Sequence, residues 1–341
     1  MYRVGIVGCG RIASTYDDDP LRKFVSSHAG AYTAVPKTEL VAAADIDQNK
    51  LSKFGKRWNV KSLYSDYKKM LKKENIDILS VCTWNSTHYE IVKEAVKVGV
   101  KAIFCEKPIS DTLSQADEMI RLCRKNNIIL AVDHQRRWDK FHEKIKKIVN
   151  DEQLGNIQQV TFYYTGGIAN VGTHMFDLLR YFFGDAKWIW SVYNGDENVD
   201  DPKIDGYLYF KNGTHAIIQS CDAKHFMIFE MDILGTRGRF KITNNGFNGE
   251  FFKVDKSKLF SGYKELSRGE LPFKPGKKEM LIWAVEDIVN CIETGKDPFC
   301  TGEDGRAALE LICAFHESAQ QGGVIINLPL KKRDLKIKSI V

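Results

Sequence analysis

The chain has 341 residues, 43% of them hydrophobic and 28% charged, with a formal net charge of +6. That length allows one large or two medium domains, and the composition is ordinary for a globular protein. No basic stripe interleaves with stacking aromatics, so the runs YKKMLKK (67–73) and KKRDLKIK (331–338) read as solvated faces, and no nucleic-acid partner is expected.

The first third alternates short apolar runs with amphipathic stretches. VGIVG (4–8), ELVAAAD (39–45), DILSVCT (77–83), KAIFCE (101–106) and IILAV (128–132) read as strands. HYEIVKEAVKVG (88–99) and DTLSQADEMIRLCRKNN (111–127) carry apolar stripes near the 3.6 period and read as helices. Strands that are apolar throughout and alternate with helices predict a parallel sheet covered on both faces. STYDDDPLRKFVSSHAGAY (14–32) is long for a first strand–helix connection. Three aspartates and a proline mark it as a loop, either a solvated insertion or a flap near a ligand.

Beyond about residue 132 the pattern changes to longer strands with alternating faces, at 157–166, 187–194, 204–223 and 227–243. Asn212-Gly213 inside KNGT predicts a tight hairpin with positive φ at both central residues. Helical patterns return at 280–295 and 305–323. The expected architecture is an α/β doubly wound domain over 1–132 and an α+β domain with an open, mainly antiparallel sheet over 133–341.

The eight cysteines, at 9, 82, 105, 123, 221, 291, 300 and 313, form no CxxC pair, as expected of free thiols in a reducing compartment. No apolar run nears the roughly 20 residues that span a bilayer, so no membrane partner is expected. The opening MYRVGIVGCG has no charged leader before an apolar core, and a cytoplasmic location is expected. In that setting the sequons at Asn85 and Asn212 carry no weight. No His, Cys and carboxylate spacing argues for a metal.

Gly8-Cys9-Gly10-Arg11-Ile12-Ala13 gives G-x-G-x-x-A directly after the first strand. Gly8 permits a tight turn, Gly10 lets backbone approach a pyrophosphate, and Ala13 lets a following helix pack closely. The N–H groups of that helix's first turn would face the phosphates. Asp45 ends the second strand, where an acid accepts hydrogen bonds from ribose hydroxyls and repels a 2′-phosphate. The pairing predicts NAD, with NADP the less favoured cofactor. In IFCEKPIS (103–110) the fourth apolar run meets Glu106, Lys107 and Pro108 at a strand end, which is where open α/β sheets bind ligands. Pro108 fixes its own φ and restricts Lys107 to an extended conformation.

GIVGCGRIA, VCTWNSTHYEIVKEAVKVGVKAIFCEKPIS, GTHMFDLLRYFFG and TGEDGRAALELICAFHESAQQG, which span nearly the whole chain, resemble the Gfo/Idh/MocA family of oxidoreductases. The resemblance implies a Rossmann domain, a second domain on an open antiparallel sheet, substrate between the two, and a homodimer or homotetramer. It implies that the Lys107–Pro108 bond is cis and that Lys107 offers its amine to a substrate hydroxyl beside the nicotinamide. A cation beside NAD⁺ has a lowered pKa, which suits proton transfer. Glu106 then anchors the turn or orients Lys107. The resemblance also puts Arg11, Ile12, Thr83, Asn85 and His88 beside the cofactor.

His174 is either the general base, working with Lys107, or a buried histidine satisfied by its neighbours. Many relatives carry aspartate four residues earlier, where this chain has Asn170. An amide orients an imidazole but does not stabilise an imidazolium by charge, so more of the proton transfer falls to Lys107 or Asp177. Arg137 either grips a phosphate or carboxylate of the substrate or makes a salt bridge. Tyr164, with Tyr163, either faces the substrate or packs within its sheet, and Trp84 either stacks near the nicotinamide or fills space. The expected activity is NAD-dependent hydride transfer with a sugar-like secondary alcohol, whether a sugar, an inositol or a nucleotide-sugar. The alternative is a catalytically weak NAD-binding sensor or regulatory subunit of the same fold.

Overall fold

The protein is described by a computed structural model covering residues 1–274 and 276–339. Its contacts divide into two units, of which the first holds 1–139, 278–309 and 334–336. It is therefore not continuous in sequence.

Six strands form its sheet: β1 (Tyr2–Val7), β2 (Thr38–Ala44), β3 (Ser62–Tyr64), β4 (Ile78–Val81), β5 (Ala102–Cys105) and β6 (Ile129–Val132). All pair in parallel, in the order β3-β2-β1-β4-β5-β6. This is the doubly wound arrangement, with its reversal of direction between β1 and β4. The central strands are buried along their length because helices cover both faces. Ile6, Ile78, Ile103 and Phe104 are fully buried, each contributing about 1.5–3 kcal/mol of transfer free energy.

The helices of this unit are α1 (His28–Ala34), α2 (Gln48–Trp58), α3 (Tyr67–Lys73), α4 (Asn85–Val98) and α5 (Leu113–Lys125). Side chains that accept backbone N–H groups start four of them: Ser27, Asp47, Asp66 and Thr112. The basic run YKKMLKK is α3, which buries Met70 and Leu71 and leaves its lysines half or fully exposed, as a solvated face does. Three short elements, β3, α1 and α3, are too brief for periodicity to reveal.

The second unit holds, among the described residues, 140–274, 276–277, 310–333 and 337–339. It contains α6 (Lys140–Asn150) and α7 (Gly172–Phe183). Its sheet is built from β7 (Ile157–Thr165), β8 (Ala186–Tyr193), β9 (Ile204–Phe210), β10 (His215–Cys221), β11 (Phe229–Gly235), β12 (Gly238–Thr243), β13 (Asn248–Lys256), β14 (Lys264–Gly269) and β15 (Ile326–Asn327). The order is β14-β13-β12-β11-β7-β10-β9-β8-β15. Among the described residues of this sheet, only the β7–β10 pairing is parallel. Buried and half-buried residues alternate along β9 to β12, as in a sheet with one face on the core. α8 (Met280–Thr294) lies in the first unit, and α9 (Gly302–Gln320) starts in residues of the first and ends in residues of the second.

The hairpin at KNGT differs from expectation. Gly213 takes φ +89°, but Asn212 does not enter the left-handed region. Its side chain instead accepts the Thr214 N–H at 3.0 Å, and Phe210 pairs with Thr214 across a longer loop. An asparagine side chain that caps its own turn competes with the two-residue geometry.

Candidate active site

β1 ends in the glycine loop. Gly8 has φ +90°, and a Cβ there would lie 2.6 Å from the Cys82 carbonyl oxygen, so the turn admits no side chain. Gly10 is the opposite case, since a Cβ would meet nothing within 4 Å. Backbone beside open space is what a pyrophosphate needs. Asp45 locks this loop to the end of β2. Its Oδ2 accepts the Cys9 N–H at 2.6 Å, and its Oδ1 accepts the Asp47 N–H at 2.8 Å. A carboxylate has further lone pairs, so ribose hydroxyls can still bind it. These residues fit a dinucleotide.

The segment after the loop differs from expectation. No α-helix follows Gly10 directly, and 11–18 make a tight turn and a 3-10 turn. The helix starts only at His28. His28 and Ala29 donate their N–H groups to the carbonyls of Ile12 and Ala13, both at 3.0 Å. The 14–27 stretch is thus an excursion out of what would otherwise be a continuous helix entry. It is tied down at several points. Asp17 accepts the Ser26 N–H at 2.6 Å and the Ser27 hydroxyl. The guanidinium groups of Arg11 and Arg22 lie over the Tyr16 ring, at 4.8 and 4.1 Å from its centroid. Asp18 pairs with Arg57.

At the end of β4, Thr83 is half-buried and Trp84 is 55% exposed. Asn85 is buried and donates to Asp111 at 2.8 Å. His88 is fully buried, with Nε2 3.0 Å from the Thr83 carbonyl and Nδ1 3.1 Å from that of Pro108. Burial pushes its pKa down. The ring therefore ties the β4 end to the turn after β5, and its nitrogens are engaged by backbone.

That turn carries Glu106 and Lys107, and the Lys107–Pro108 bond is cis. Lys107 is half-buried, and its N–H donates to Glu106 Oε2 at 3.2 Å. Glu106 is buried, and Oε1 lies 3.0 Å from His28 Nε2. Burial alone would push the Glu106 pKa up, but the bond to and charge of His28, then the charge of Lys107, bring it down to about 2. Glu106 thus anchors the Lys107 turn as a buried carboxylate.

Arg137 is buried, with Nη1 3.2 Å from Asp304. In the second unit, α7 begins at Gly172, so Asn170 stands in the turn before it and His174 in its first turn. Asp201 holds that turn by accepting the N–H groups of Ala169 at 2.7 Å and Asn170 at 2.9 Å. A Cβ at Gly167 would lie 2.0 Å from the Asp201 carboxyl carbon. His174 is half-buried and Asp177 fully buried. Tyr164 is also fully buried, and its hydroxyl donates to the Ile204 carbonyl at 2.9 Å and accepts the Ile204 N–H at 3.0 Å. Tyr163 is 36% exposed.

Sequence reasoning missed His28, Asp133 and Asp201. A polar Ser80 inside the apolar run ILSV was the available signal for His28, because a buried hydroxyl needs a partner.

Residues 2–134 match the family model described as "Oxidoreductase family, NAD-binding Rossmann fold", and 146–328 match its C-terminal alpha/beta domain. The chain is 24% identical to myo-inositol 2-dehydrogenase of Thermotoga maritima, over 99% of both chains. It is 27% identical to the uncharacterized oxidoreductase YrbE of Bacillus subtilis, over 93% of this chain and 94% of that one. Among solved structures, the WlbA dehydrogenase of Bordetella pertussis in complex with NADH and UDP-GlcNAcA superposes with a TM-score of 0.78 at 21% identity, covering 97% of this chain and 99% of that one. That likeness shows the fold. The protein belongs to the Gfo/Idh/MocA family of NAD-dependent oxidoreductases.

Proposed function

We propose that this chain is a dehydrogenase of sugar-like secondary alcohols in which Lys107 exchanges the hydroxyl proton. The observation that supports this reading best is the place of Lys107. It stands two residues past the end of β5, at the same carboxyl edge of the sheet as the glycine loop after β1 and Asp45 after β2. β5 lies two strands from β1, a separation of about 10 Å in a sheet, which suits a group working at the far end of a dinucleotide.

When bound, the nicotinamide supplies the hydride acceptor or donor. The chain's own residues do the rest. Gly10 admits the pyrophosphate, and Asp45 takes the ribose hydroxyls, which favours NAD over NADP. Lys107 takes the proton from the carbinol oxygen or returns it. Arg11, Ile12, Thr83, Asn85 and His88 are assigned to the cofactor end. His174, oriented by Asn170, is assigned to the same proton transfer, with Asp177 and Arg137 as supports.

Sugars, inositols and nucleotide-linked sugars are the proposed substrates. Relatives named for myo-inositol and for D-apiose, and a solved neighbour holding UDP-GlcNAcA, support that class. A homodimer or homotetramer is proposed on the second unit's sheet. An aromatic row there, with Trp188 stacked on Tyr207 and Tyr209 and Tyr207 on His215, supports it. Among the described residues no helix is long and apolar enough to cross a membrane, and we propose a cytoplasmic location.

The test is turnover with NAD across inositols, free sugars and nucleotide-sugars, for the native chain and Lys107→Ala. The substitution should cut kcat by about 10²–10⁴ and leave NAD binding nearly intact. Unchanged turnover removes Lys107 from the reaction. A native chain that binds NAD tightly and oxidises nothing on the panel sinks the dehydrogenase reading.

A further inference from the structure

Beneath the Lys107 turn lies an imidazole flanked by two carboxylates, drawn from three elements of the first unit. His28 opens α1, Glu106 follows β5 and Asp133 follows β6. His28 Nε2 is 3.0 Å from Glu106 Oε1 and 3.3 Å from Asp133 Oδ2. The first contact is a hydrogen bond. The second meets only an ion-pair distance, and both Asp133 oxygens are buried without a hydrogen-bond partner. The other ring nitrogen, Nδ1, is 2.6 Å from the Ser80 hydroxyl in β4. The Phe104 ring lies 4.6 Å away, centroid to centroid. His28 is fully buried, Asp133 is 1% exposed and Glu106 is 6% exposed.

We propose that His28 is a positioning residue, which braces Glu106 and Asp133 beneath the Lys107 turn and thereby sets how readily the Lys107 amine accepts a proton. The inference rests on Lys107 carrying the proton in the reaction proposed above. The groups that act on this cluster are Tyr32 from α1, Ser80 and Cys82 at β4, Cys105 and Glu106 at β5, Lys107 in the turn and Asp133 after β6. An imidazole and an ammonium therefore face two carboxyl groups. Remove His28, and the buried Glu106 carboxylate keeps Lys107 as its counter-ion. A carboxylate compensated by one ammonium alone holds that ammonium charged, and a charged ammonium accepts no proton. His28 keeps the Lys107 amine available by taking the carboxylate's charge upon itself.

Burial alone would lower the His28 pKa, but its neighbours, Cys82 and then Asp133 and Glu106, hold it well above the usual value. This agrees with an imidazolium that donates from both nitrogens. The three donor atoms lie within 4.8 Å of one another. Three donors fall short of the four of a closed zinc site, so a shared proton suits them better than an ion.

The test compares kcat/KM against pH for the native chain, His28→Gln and His28→Gln/Glu106→Gln, with Lys107→Met alongside. In His28→Gln the acid limb should move up by about one pH unit, and kcat at neutral pH should fall about tenfold. KM for NAD should change by less than about twofold. Removing the carboxylate as well should return the limb to its native place. An unmoved limb in His28→Gln, with Lys107→Met inactive, overturns the inference and leaves the Lys107 reading standing. Turnover retained in Lys107→Met sinks both. Should His28→Gln not fold, nitrogen NMR of the native chain decides. A His28 ring protonated on both nitrogens above neutral pH supports the inference, and a neutral ring overturns it. So does about one equivalent of zinc in the purified chain.

Discussion

Asp45 and Cys9 are joined by a 2.6 Å hydrogen bond from the Cys9 N–H to the carboxylate. The acid expected to read the ribose therefore also fastens the glycine loop to the end of β2. The two roles predict a compound effect. Asp45→Ser should lower NAD affinity and shrink the preference for NAD over NADP. Loss of a hydrogen bond to a charged group is worth about 1.5–3 kcal/mol, or about ten- to a hundredfold in the NAD:NADP ratio. Binding of both cofactors, measured by calorimetry, checks this. An unchanged ratio would show that Asp45 holds the loop and reads nothing.

Much of the first unit could be read directly because its strands are apolar runs closed by turn residues. IFCE and LSVC fall on β5 and β4, and the G-x-G-x-x-A loop falls on the end of β1. What escaped reading depends on distance along the chain. His28 meets Glu106 and Asp133 across 78 and 105 positions, and no local pattern records such a meeting. α1 escaped because the excursion at 14–27 separates it from the loop whose carbonyls it caps. Asp201 escaped for the same reason, since its partners at 169 and 170 are 32 and 31 positions away.

Asp133 makes the fold's stability depend on pH. Burial, then the Glu106 charge, push its carboxyl up to about 7, against about 3.9 in the unfolded chain. The folded state thus holds the proton more tightly. Its contribution is full below about pH 4 and is lost as pH rises through about 7, with a slope of at most about 1.4 kcal/mol per pH unit. His28 acts in the same direction, because its raised pKa contributes stability below about pH 6.5 that is lost as pH climbs through the folded value. Glu106 acts oppositely, and its contribution is lost only as pH falls toward about 2. Asp133→Asn should therefore gain on the native chain in melting temperature between about pH 5 and 8. Parallel curves for the two proteins across that range would refute the assignment.

Asp17 is the chief tether of the 14–27 excursion, through Ser26 and Ser27. Asp17→Ala should free the exposed tip at Arg22 and Lys23 while leaving the core intact. Trypsin should then cut after those residues about tenfold faster, since cleavage follows the population of the opened loop and one charge-assisted bond is worth that much. Equal cleavage rates would mean that the Tyr16 stack with Arg11 and Arg22 holds the segment by itself.

Gly8 and Gly10 separate what the fold needs from what the cofactor needs. At Gly8 the φ of +90° and the 2.6 Å approach to the Cys82 carbonyl make any side chain strained. Gly8→Ala should cost about 1–3 kcal/mol or more and lower the melting temperature with or without NAD. At Gly10 the backbone lies outside the left-handed region and nothing stands within 4 Å of a new methyl group. Gly10→Ala should leave the melting temperature of the unliganded chain within a few degrees, because no contact is lost and no turn is strained. The methyl would instead occupy the space through which backbone approaches the pyrophosphate, so NAD affinity should fall at least about tenfold. The measurement is melting temperature with and without saturating NAD: the native chain should be raised by the cofactor and Gly10→Ala hardly at all. A Gly10→Ala chain stabilised by NAD as much as the native one would place the phosphates elsewhere than over this loop.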